Sequence, residues 1–410
     1  MHLRTKFYGL LMAALLLPTL ALADTTITGQ KKGAFFKITV PTVWNGSLVI
    51  NNHGFDFNAP AANPSLGSLA PLQLAEGYAV AASSYSNCCW TLFSTKKDIN
   101  RLIEIFTDNF GAPSDVILHG GSLGGIVTAQ GIEKLDFAPV VGAYPICGAL
   151  AGSRSWDGAI DLRLVYDAVC GAVPGGALPG GATGLPGPGF PPGLSQAAIA
   201  TAVNTCTGVL TPIAFRTPAQ TARLNQIKAV TTLPENFIVT DMVFVTNGLS
   251  NLIFAPDKLD GGQGVGNVGV TYTDPGINAS IQRVAYDNQA HKDLEKNYTP
   301  KGTVGATKIV SIHTDGDGLV IVEQEKEYQD VVPASNLSTG IVNESGNTHC
   351  GFTAPELTAG WEELRDWIAG GPQPTATDLQ ARCLTLGPPA QCRIDPSYVL
   401  NDMSTRIPPR

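Results

Sequence analysis

The sequence predicts an α/β fold in which a mostly parallel sheet is flanked by helices. Two observations support this prediction. Short runs of β-branched and aromatic residues alternate with segments of helical periodicity. The chain of 410 residues is also 44% hydrophobic and only 15% charged, which excludes a disordered chain and allows a large buried core. With 26 Lys and Arg against 34 Asp and Glu, it lacks the basic surplus of a nucleic-acid-binding protein.

The first part of the core is expected at 24–151. Its apolar runs predict five strands, and spacings of three and four residues predict two helices. The strands are expected at 34–40, 47–51, 78–84, 116–119 and 140–146, and the helices at 96–110 and 122–135.

The alternation resumes in a second part of the core, expected at 305–371. Its strands are predicted at 308–313 and 339–342 and its helices at 323–331 and 356–369. The residues between the two parts, 152–304, are predicted to form an inserted, partly helical cap, with helices at 195–209 and 217–230. Within it, 171–194 holds 9 Gly and 6 Pro, which favours an irregular loop.

The N-terminus has the pattern of a cleavable signal peptide. Arg4 and Lys6 precede an apolar stretch at 8–17, and 20–23 reads Leu-Ala-Leu-Ala, so cleavage is expected after Ala23. An uncleaved anchor is the alternative, although the apolar stretch is shorter than the roughly 20 residues that span a bilayer. No later stretch is expected to insert in a membrane. The predicted location is therefore secreted or periplasmic.

The predicted export bears on the role of the cysteines. An even number of cysteines in an oxidising compartment predicts disulfides rather than a metal or redox site. Cys383 and Cys392, joined by a Gly-Pro-Pro turn, are expected to pair and to fix the tail at 372–410. For the adjacent Cys88 and Cys89 we expect two separate bridges, because a bond between neighbours needs unusual backbone geometry. The full set is Cys88, Cys89, Cys147, Cys170, Cys206, Cys350, Cys383 and Cys392.

The segment 116–129, VILHGGSLGGIVTA, carries the main chemical signal. It places Gly120-Gly121-Ser122-Leu123-Gly124 after a predicted strand and before a predicted helix, the context of a nucleophile elbow. A serine on so sharp a turn needs neighbours without side chains, and the following helix N-terminus favours an oxyanion. The alternative is a Gly-rich turn for packing or phosphate binding.

A serine nucleophile needs a base and a carboxylate. Among the histidines, His349 lies in a loop between the last strand and the last helix of the core, from which it can reach the carboxyl edge of the sheet, and we predict it as the base. Asp317, in the Asp- and Gly-rich loop after strand 308–313, is the predicted carboxylate, with Asp315 as the alternative. A calcium loop is the other interpretation of this segment, but the EF-hand ligand spacing is absent.

The elbow and the chain order Ser122, Asp317, His349 resemble the α/β-hydrolase fold. The resemblance is to secreted bacterial serine esterases with a large cap between the sixth and seventh strands. It implies an oxyanion hole made by the backbone N–H of Leu123 and by that of Gly54 or Phe55. The chain has a single His-Gly where some members have a longer Gly run, and His53 itself is expected to be structural.

The pair His349-Cys350 resembles the His-Cys pair of tannases and feruloyl esterases. In those enzymes the partner cysteine precedes the nucleophile, but here Gly121 holds that position, so the same bridge cannot form. Cys350 can still pair with Cys147, Cys88 or Cys89, which are all expected near strand ends on the same edge of the sheet. This departure weakens the resemblance to tannases.

The resulting prediction is an exported serine esterase that needs no metal or organic cofactor and acts on a small or polymeric ester. Trp90 and Trp156 are expected to line the site or to pack in the core. The alternatives are a serine peptidase of the same fold, a hydrolase of β-diketones or oxidised polymers, and a non-enzymatic binding protein.

Overall fold

The computed structural model describes residues 23–136, 140–178 and 194–410. Residues 1–22 of the predicted signal peptide and residues 179–193 of the Gly- and Pro-rich segment lie outside the described residues.

The described core is built on one eight-stranded sheet in the order β1-β2-β4-β3-β5-β6-β7-β8. Strand β2 pairs antiparallel with β1 and with β4, and every other pairing is parallel. The parallel strands therefore end at one edge, where loops can bring side chains together. The strands are β1 Thr25–Lys31, β2 Ala34–Val40, β3 Ser47–Asn52, β4 Ala79–Ser83, β5 Asp115–Gly121, β6 Val140–Ile146, β7 Lys308–Thr314 and β8 Leu337–Val342.

Helices pack on both faces of this sheet. In the described ranges they are α1 Ala70–Ala75, α2 Thr95–Phe110, α3 Leu123–Lys134, α4 Ser155–Cys170, α5 Gln196–Thr207, α6 Pro218–Thr231, α7 Ile238–Val243, α8 Leu249–Phe254, α9 Pro275–Ser280, α10 Asn288–Tyr298, α11 Gln324–Val331, α12 Ala354–Ile368 and α13 Ala376–Leu386.

Strand β3 shows how the two faces are buried. Leu48 and Ile50 belong to a buried cluster that includes Phe106 of α2, whereas Val49 belongs to a second cluster that includes Trp361 of α12. Successive side chains of a strand alternate between faces. An apolar strand without polar alternation is typical of a parallel sheet covered on both sides.

Helices α4 to α10 lie between β6 and β7 in the chain. One continuous helical stretch here, 235–254, is long and apolar enough by length and composition to cross a membrane, contrary to the expectation from the sequence. Of its most apolar window, 56% is buried inside the protein, as is common for a core helix of a globular protein. A disulfide between Cys170 and Cys206 joins α4 to α5.

All eight cysteines form disulfides, which fits an extracellular protein. Cys383 pairs with Cys392, as expected. The prediction of separate bridges for Cys88 and Cys89 is wrong, because the two pair with each other across a Cα–Cα distance of 3.7 Å. Cys89 has a φ of +69° and its N–H donates to the Asp56 carbonyl at 3.1 Å, a turn that the sequence did not indicate.

Candidate active site

Ser122 lies on the sharp turn between β5 and α3. Its backbone has φ of +59° and ψ of −125°, a conformation that L-residues rarely adopt. The Ser122 N–H donates to the Ile146 carbonyl at 2.9 Å, and the Gly125 N–H donates to the Ser122 carbonyl at 2.9 Å. These bonds hold the strained residue between the end of β6 and the first turn of α3.

The glycines around Ser122 differ in how strictly they are needed. A Cβ added to Gly124 would lie 1.9 Å from the Asn52 carbonyl oxygen, and one added to Gly120 would lie 2.3 Å from the same oxygen. A Cβ on Gly121 would meet nothing closer than 3.8 Å. Backbone packing against β3 therefore requires the first and last glycines of the elbow, and Gly121 has room for a side chain.

His349 connects Ser122 to Asp317. Its loop runs from β8 to α12 and brings the His349 Nε2 atom to 2.8 Å from Ser122 Oγ. On the other side of the ring, His349 Nδ1 lies 2.6 Å from Asp317 Oδ2. The imidazole is 22% exposed, so solvent reaches the site. In this arrangement the His349 ring can accept the proton of the serine hydroxyl, and the Asp317 carboxylate can stabilise the resulting imidazolium.

Asp317 is fully buried and its two oxygens have separate partners. Oδ2 faces His349, while Oδ1 accepts hydrogen bonds from the Leu319 and Val320 N–H groups at 3.0 Å each. The alternative carboxylate, Asp315, instead accepts the Glu344 N–H at 2.7 Å. The structure therefore brings Asp317, and not Asp315, to His349.

A second histidine lies behind Asp317. His313 Nε2 is 2.8 Å from the Val320 carbonyl and 3.8 Å from Asp317 Oδ2, and its Nδ1 is 3.1 Å from Glu325 Oε1. Burial lowers the pKa of His313, but the Glu325 hydrogen bond and charge and the Asp317 charge outweigh it, so the pKa is raised. The only sequence signal of this group is a histidine near the end of the strand that leads to Asp317, and this signal does not reveal the contacts of His313 with Glu325 and Asp317.

The other described histidines, His119, His53 and His291, are buried or stack on tyrosine rings. Burial lowers the pKa of His119 to about 4, which keeps its ring neutral in the core at physiological pH. His53 stacks on Tyr85 with ring centroids 4.1 Å apart, and its Nδ1 lies 2.8 Å from the Gly54 carbonyl. His291 stacks on Tyr286 in the cap and lies 3.6 Å from Glu295.

The backbone at Gly54 lies alongside Ser122. A Cβ on Gly54 would be 3.5 Å from Ser122 Cβ and 3.9 Å from Ser122 Oγ. Leu123 is the first residue of α3, so its N–H has no acceptor within the helix. Gly54 and Leu123 thus both lie beside Ser122, which is compatible with the predicted oxyanion hole.

The predicted lining residues Trp90 and Trp156 are 3% and 1% exposed. Their rings meet edge to face at 5.3 Å, and Trp156 stacks on Phe244 of the cap at 5.5 Å. Phe244 in turn lies 4.7 Å from Phe55. The two tryptophans are therefore buried, and Trp156 packs behind Phe244, which contacts Phe55.

A disulfide anchors the histidine loop. Cys350 pairs with Cys147, which directly follows β6, and Cys350 Sγ is 3.5 Å from His349 Nε2. Asp317, His349 and Cys350 also place possible metal-ligating atoms within 4.8 Å of one another. However, the sulfur is bonded to Cys147 and both imidazole nitrogens face protein oxygens, so this cluster does not have the donors of a zinc site.

Removal of the Cys147–Cys350 bridge is expected to destabilise the protein more than removal of Cys383–Cys392. The bridges span 203 and 9 residues, and loop-closure entropy then gives upper limits of about 5 and about 3 kcal/mol. The paired serine variants C147S/C350S and C383S/C392S would be compared by urea unfolding. Only C147S/C350S should also lower catalytic turnover, because loss of the Cys147–Cys350 bridge frees the His349 loop. Equal losses of stability, with turnover unchanged in both, would contradict this role.

Comparisons with known proteins give only distant structural similarities. No family model matches the chain, and no curated protein matches it. Among solved structures, it is similar to feruloyl esterase B from Aspergillus oryzae at 11% identity and a TM-score of 0.45, over 86% of this chain and 81% of that one. It is also similar to the rice cell wall degrading esterase LipA from Xanthomonas oryzae at 13% identity and a TM-score of 0.40, over 85% and 88% of the two chains.

The fold and the site together define the class. An eight-stranded, mostly parallel sheet with helices on both faces and a serine elbow after β5 is the α/β-hydrolase fold. A third similar structure is the Pyrococcus furiosus esterase Pf2001, at 11% identity and a TM-score of 0.39, over 88% of this chain and 97% of that one. Similarities this low say nothing about the reaction, which only the geometry of the site can indicate.

Proposed function

We propose that this chain is a serine hydrolase that cleaves carboxylic esters. The observation that carries the proposal is the continuous line of contacts from Ser122 Oγ through the His349 ring to Asp317 Oδ2, at 2.8 and 2.6 Å. A strained, partly accessible serine with a hydrogen-bonded base is the arrangement that nucleophilic catalysis needs.

In the first step, Ser122 Oγ attacks the ester carbonyl carbon while His349 Nε2 takes the hydroxyl proton. The negative charge that develops on the carbonyl oxygen is stabilised by backbone N–H groups of Leu123 and of Gly54 or Phe55. Asp317 holds the ring so that Nδ1 keeps its proton and Nε2 is free to accept one.

The tetrahedral intermediate then collapses. The bond to the alcohol oxygen breaks and His349 returns its proton to that oxygen, which leaves the acyl group on Ser122. A water molecule, deprotonated by His349, attacks the acyl carbon, and collapse of the second intermediate releases the acid and restores the serine hydroxyl.

We propose that the protein acts outside the cytoplasm. The signal-peptide pattern that ends at Ala23 and the four disulfides support this location. Export also favours a substrate that the cell does not import, such as a bulky or polymeric ester.

A matched pair of substrates tests the reaction class. The purified protein should release p-nitrophenol from short-chain acyl esters, and it should not release p-nitroaniline from acyl and aminoacyl anilides at a comparable rate. Hydrolysis of the anilides without hydrolysis of the esters would instead identify the protein as a peptidase. Turnover of neither substrate would contradict hydrolysis by this site.

A further inference from the structure

A cavity of about 80 Å³ lies between helices α4 and α7 and the loop that follows Asp317. Since a cavity needs roughly 10–15 Å³ of such free volume to hold one water molecule, this cavity has room for a small organic group. Its walls are mostly apolar and come from α4, from α7 and the turn after it, and from the loop after Asp317. They include Ala159, Leu162, Asp241, Phe244, Gly318 and Leu319.

Two contacts connect this cavity to the catalytic residues. Gly318 and Leu319 directly follow Asp317 in the chain, and the Leu319 N–H is one of the donors to the Asp317 carboxylate. On the opposite wall, Phe244 packs against Phe55 of the oxyanion loop with ring centroids 4.7 Å apart. The cavity therefore adjoins the loop that carries Asp317 and, through Phe244, the Phe55 ring.

Asp241 is the unusual residue of this cavity. It lines the wall and is 4% exposed, and its Oδ1 has no hydrogen-bond partner in the described part of the chain. Burial, and then the negative charge of Asp317, raise the pKa of Asp241 well above its ordinary value. A neutral carboxyl group carries a proton that it can donate.

The other charged side chain on the cavity wall, Arg406, is already engaged. Its Nε donates to the Thr232 hydroxyl, Nη2 donates to the Thr232 carbonyl at 3.3 Å and Nη1 lies 3.4 Å from Glu323. The cavity is thus suited to an uncharged ligand group. Buried polar atoms usually have partners, so an unpartnered carboxyl group on the wall of a cavity points to a ligand that supplies one.

We propose that this cavity binds one side of the ester substrate, a small apolar group that carries an oxygen acceptor, and that Asp241 donates a hydrogen bond to this oxygen. The inference rests on the proposed esterase activity and adds a specificity-determining residue to it. The group can belong to the acyl or to the alcohol part of the ester, and the two parts share the same recognition chemistry.

Isosteric substrate pairs test the proposal on each side of the ester. On the acyl side, p-nitrophenyl methoxyacetate is compared with p-nitrophenyl butanoate. On the alcohol side, 2-methoxyethyl acetate is compared with butyl acetate. For each pair, the ratio of kcat/KM values is measured in the wild type and in Asp241→Leu. The inductive effect of the ether oxygen is the same in both proteins and cancels.

For one of the two pairs, Asp241→Leu should lower the preference for the oxygen-bearing ester by about tenfold, because its donor is lost. Asp241→Asn keeps an N–H donor and should retain most of the preference. Asp257→Leu, which removes an exposed cap carboxylate outside the cavity lining, should leave both ratios unchanged. Asp241→Leu should also unfold at a higher temperature than the wild type, because an unpartnered buried carboxyl is removed.

Unchanged ratios for both pairs in Asp241→Leu, in a protein that hydrolyses all four esters, would overturn the proposal and leave the esterase activity standing. If the wild type hydrolyses none of them, the proposed function fails and the inference fails with it.

Should Asp241→Leu not fold, Ala159→Leu tests the same cavity by filling it. Ala159→Leu should then lower kcat/KM for p-nitrophenyl butanoate relative to p-nitrophenyl acetate, or for butyl acetate relative to methyl acetate. Unchanged ratios would again overturn the proposal.

Discussion

Ser122→Ala is expected to lower kcat for ester hydrolysis by about five to six orders of magnitude, to the rate that binding and the oxyanion donors alone provide. The substitution removes only Oγ, the atom that lies 2.8 Å from His349 Nε2. The Cβ and the elbow geometry remain, so the folded structure should persist. The loss is measured with short-chain p-nitrophenyl esters under saturating substrate.

Two comparisons control this result. The thermal unfolding temperature of Ser122→Ala should stay close to that of the wild type, because the hydroxyl is part-buried and makes its contact within the site. Ser335→Ala, an exposed serine in the loop before β8 and outside the cavity lining, serves as a matched serine variant outside the triad. A Ser122→Ala protein with more than a tenth of wild-type turnover would contradict a covalent role for this serine.

Asp317→Asn should lower kcat by about 10⁴-fold at pH 7. The Leu319 and Val320 N–H groups both donate to Asp317 Oδ1, so the amide oxygen of an asparagine must occupy that position. The amide NH₂ is then forced towards His349 Nδ1 and becomes a donor. The ring responds by carrying its proton on Nε2, where it can no longer accept the proton of Ser122.

Asp315→Asn is the matched control for this variant. The asparagine oxygen can still accept the Glu344 N–H that Asp315 accepts at 2.7 Å, and Asp315 makes no contact with His349. We expect less than about a threefold change in kcat. If Asp315→Asn is the more damaging of the two variants, the assignment of the carboxylate is wrong.

The elements that position the serine could be predicted because their signals are local. Strand β5, the Gly-Gly-Ser-Leu-Gly turn and helix α3 follow one another within twenty residues of sequence. The antiparallel edge strand β1 was missed, because Thr25–Lys31 is polar and mostly exposed and has no alternation of apolar residues. Helix α1 was also missed, since six residues are too few to show a helical period.

Contacts between distant segments could not be predicted from the sequence. Asp241 comes from the cap, 76 residues before Asp317, and nothing near it in the sequence marks it as a neighbour of the catalytic loop. Glu325, at the start of α11, meets His313 of β7 across a separation of 12 residues. The Cys88–Cys89 pairing depends on a left-handed residue at Cys89, and a backbone conformation of this kind leaves no sequence signal when the residue is not glycine.

The pairing of Cys147 with Cys350 explains how this chain holds its histidine loop without a cysteine before the nucleophile. A Cβ on Gly121 would lie 3.9 Å from Cys147 Sγ, so the bridge passes close to the position that the tannase-like cysteine would occupy. In this chain the histidine loop is anchored at the end of β6, and His349 reaches Ser122.

Covalent labelling with a fluorophosphonate probe tests the central claim most directly, because only an activated serine reacts with it at low concentration. The wild type is expected to gain the mass of one probe, located by peptide mapping at Ser122, and His349→Ala should react at least a hundredfold more slowly. An unlabelled wild-type protein, or a label at any serine other than Ser122, would contradict the account.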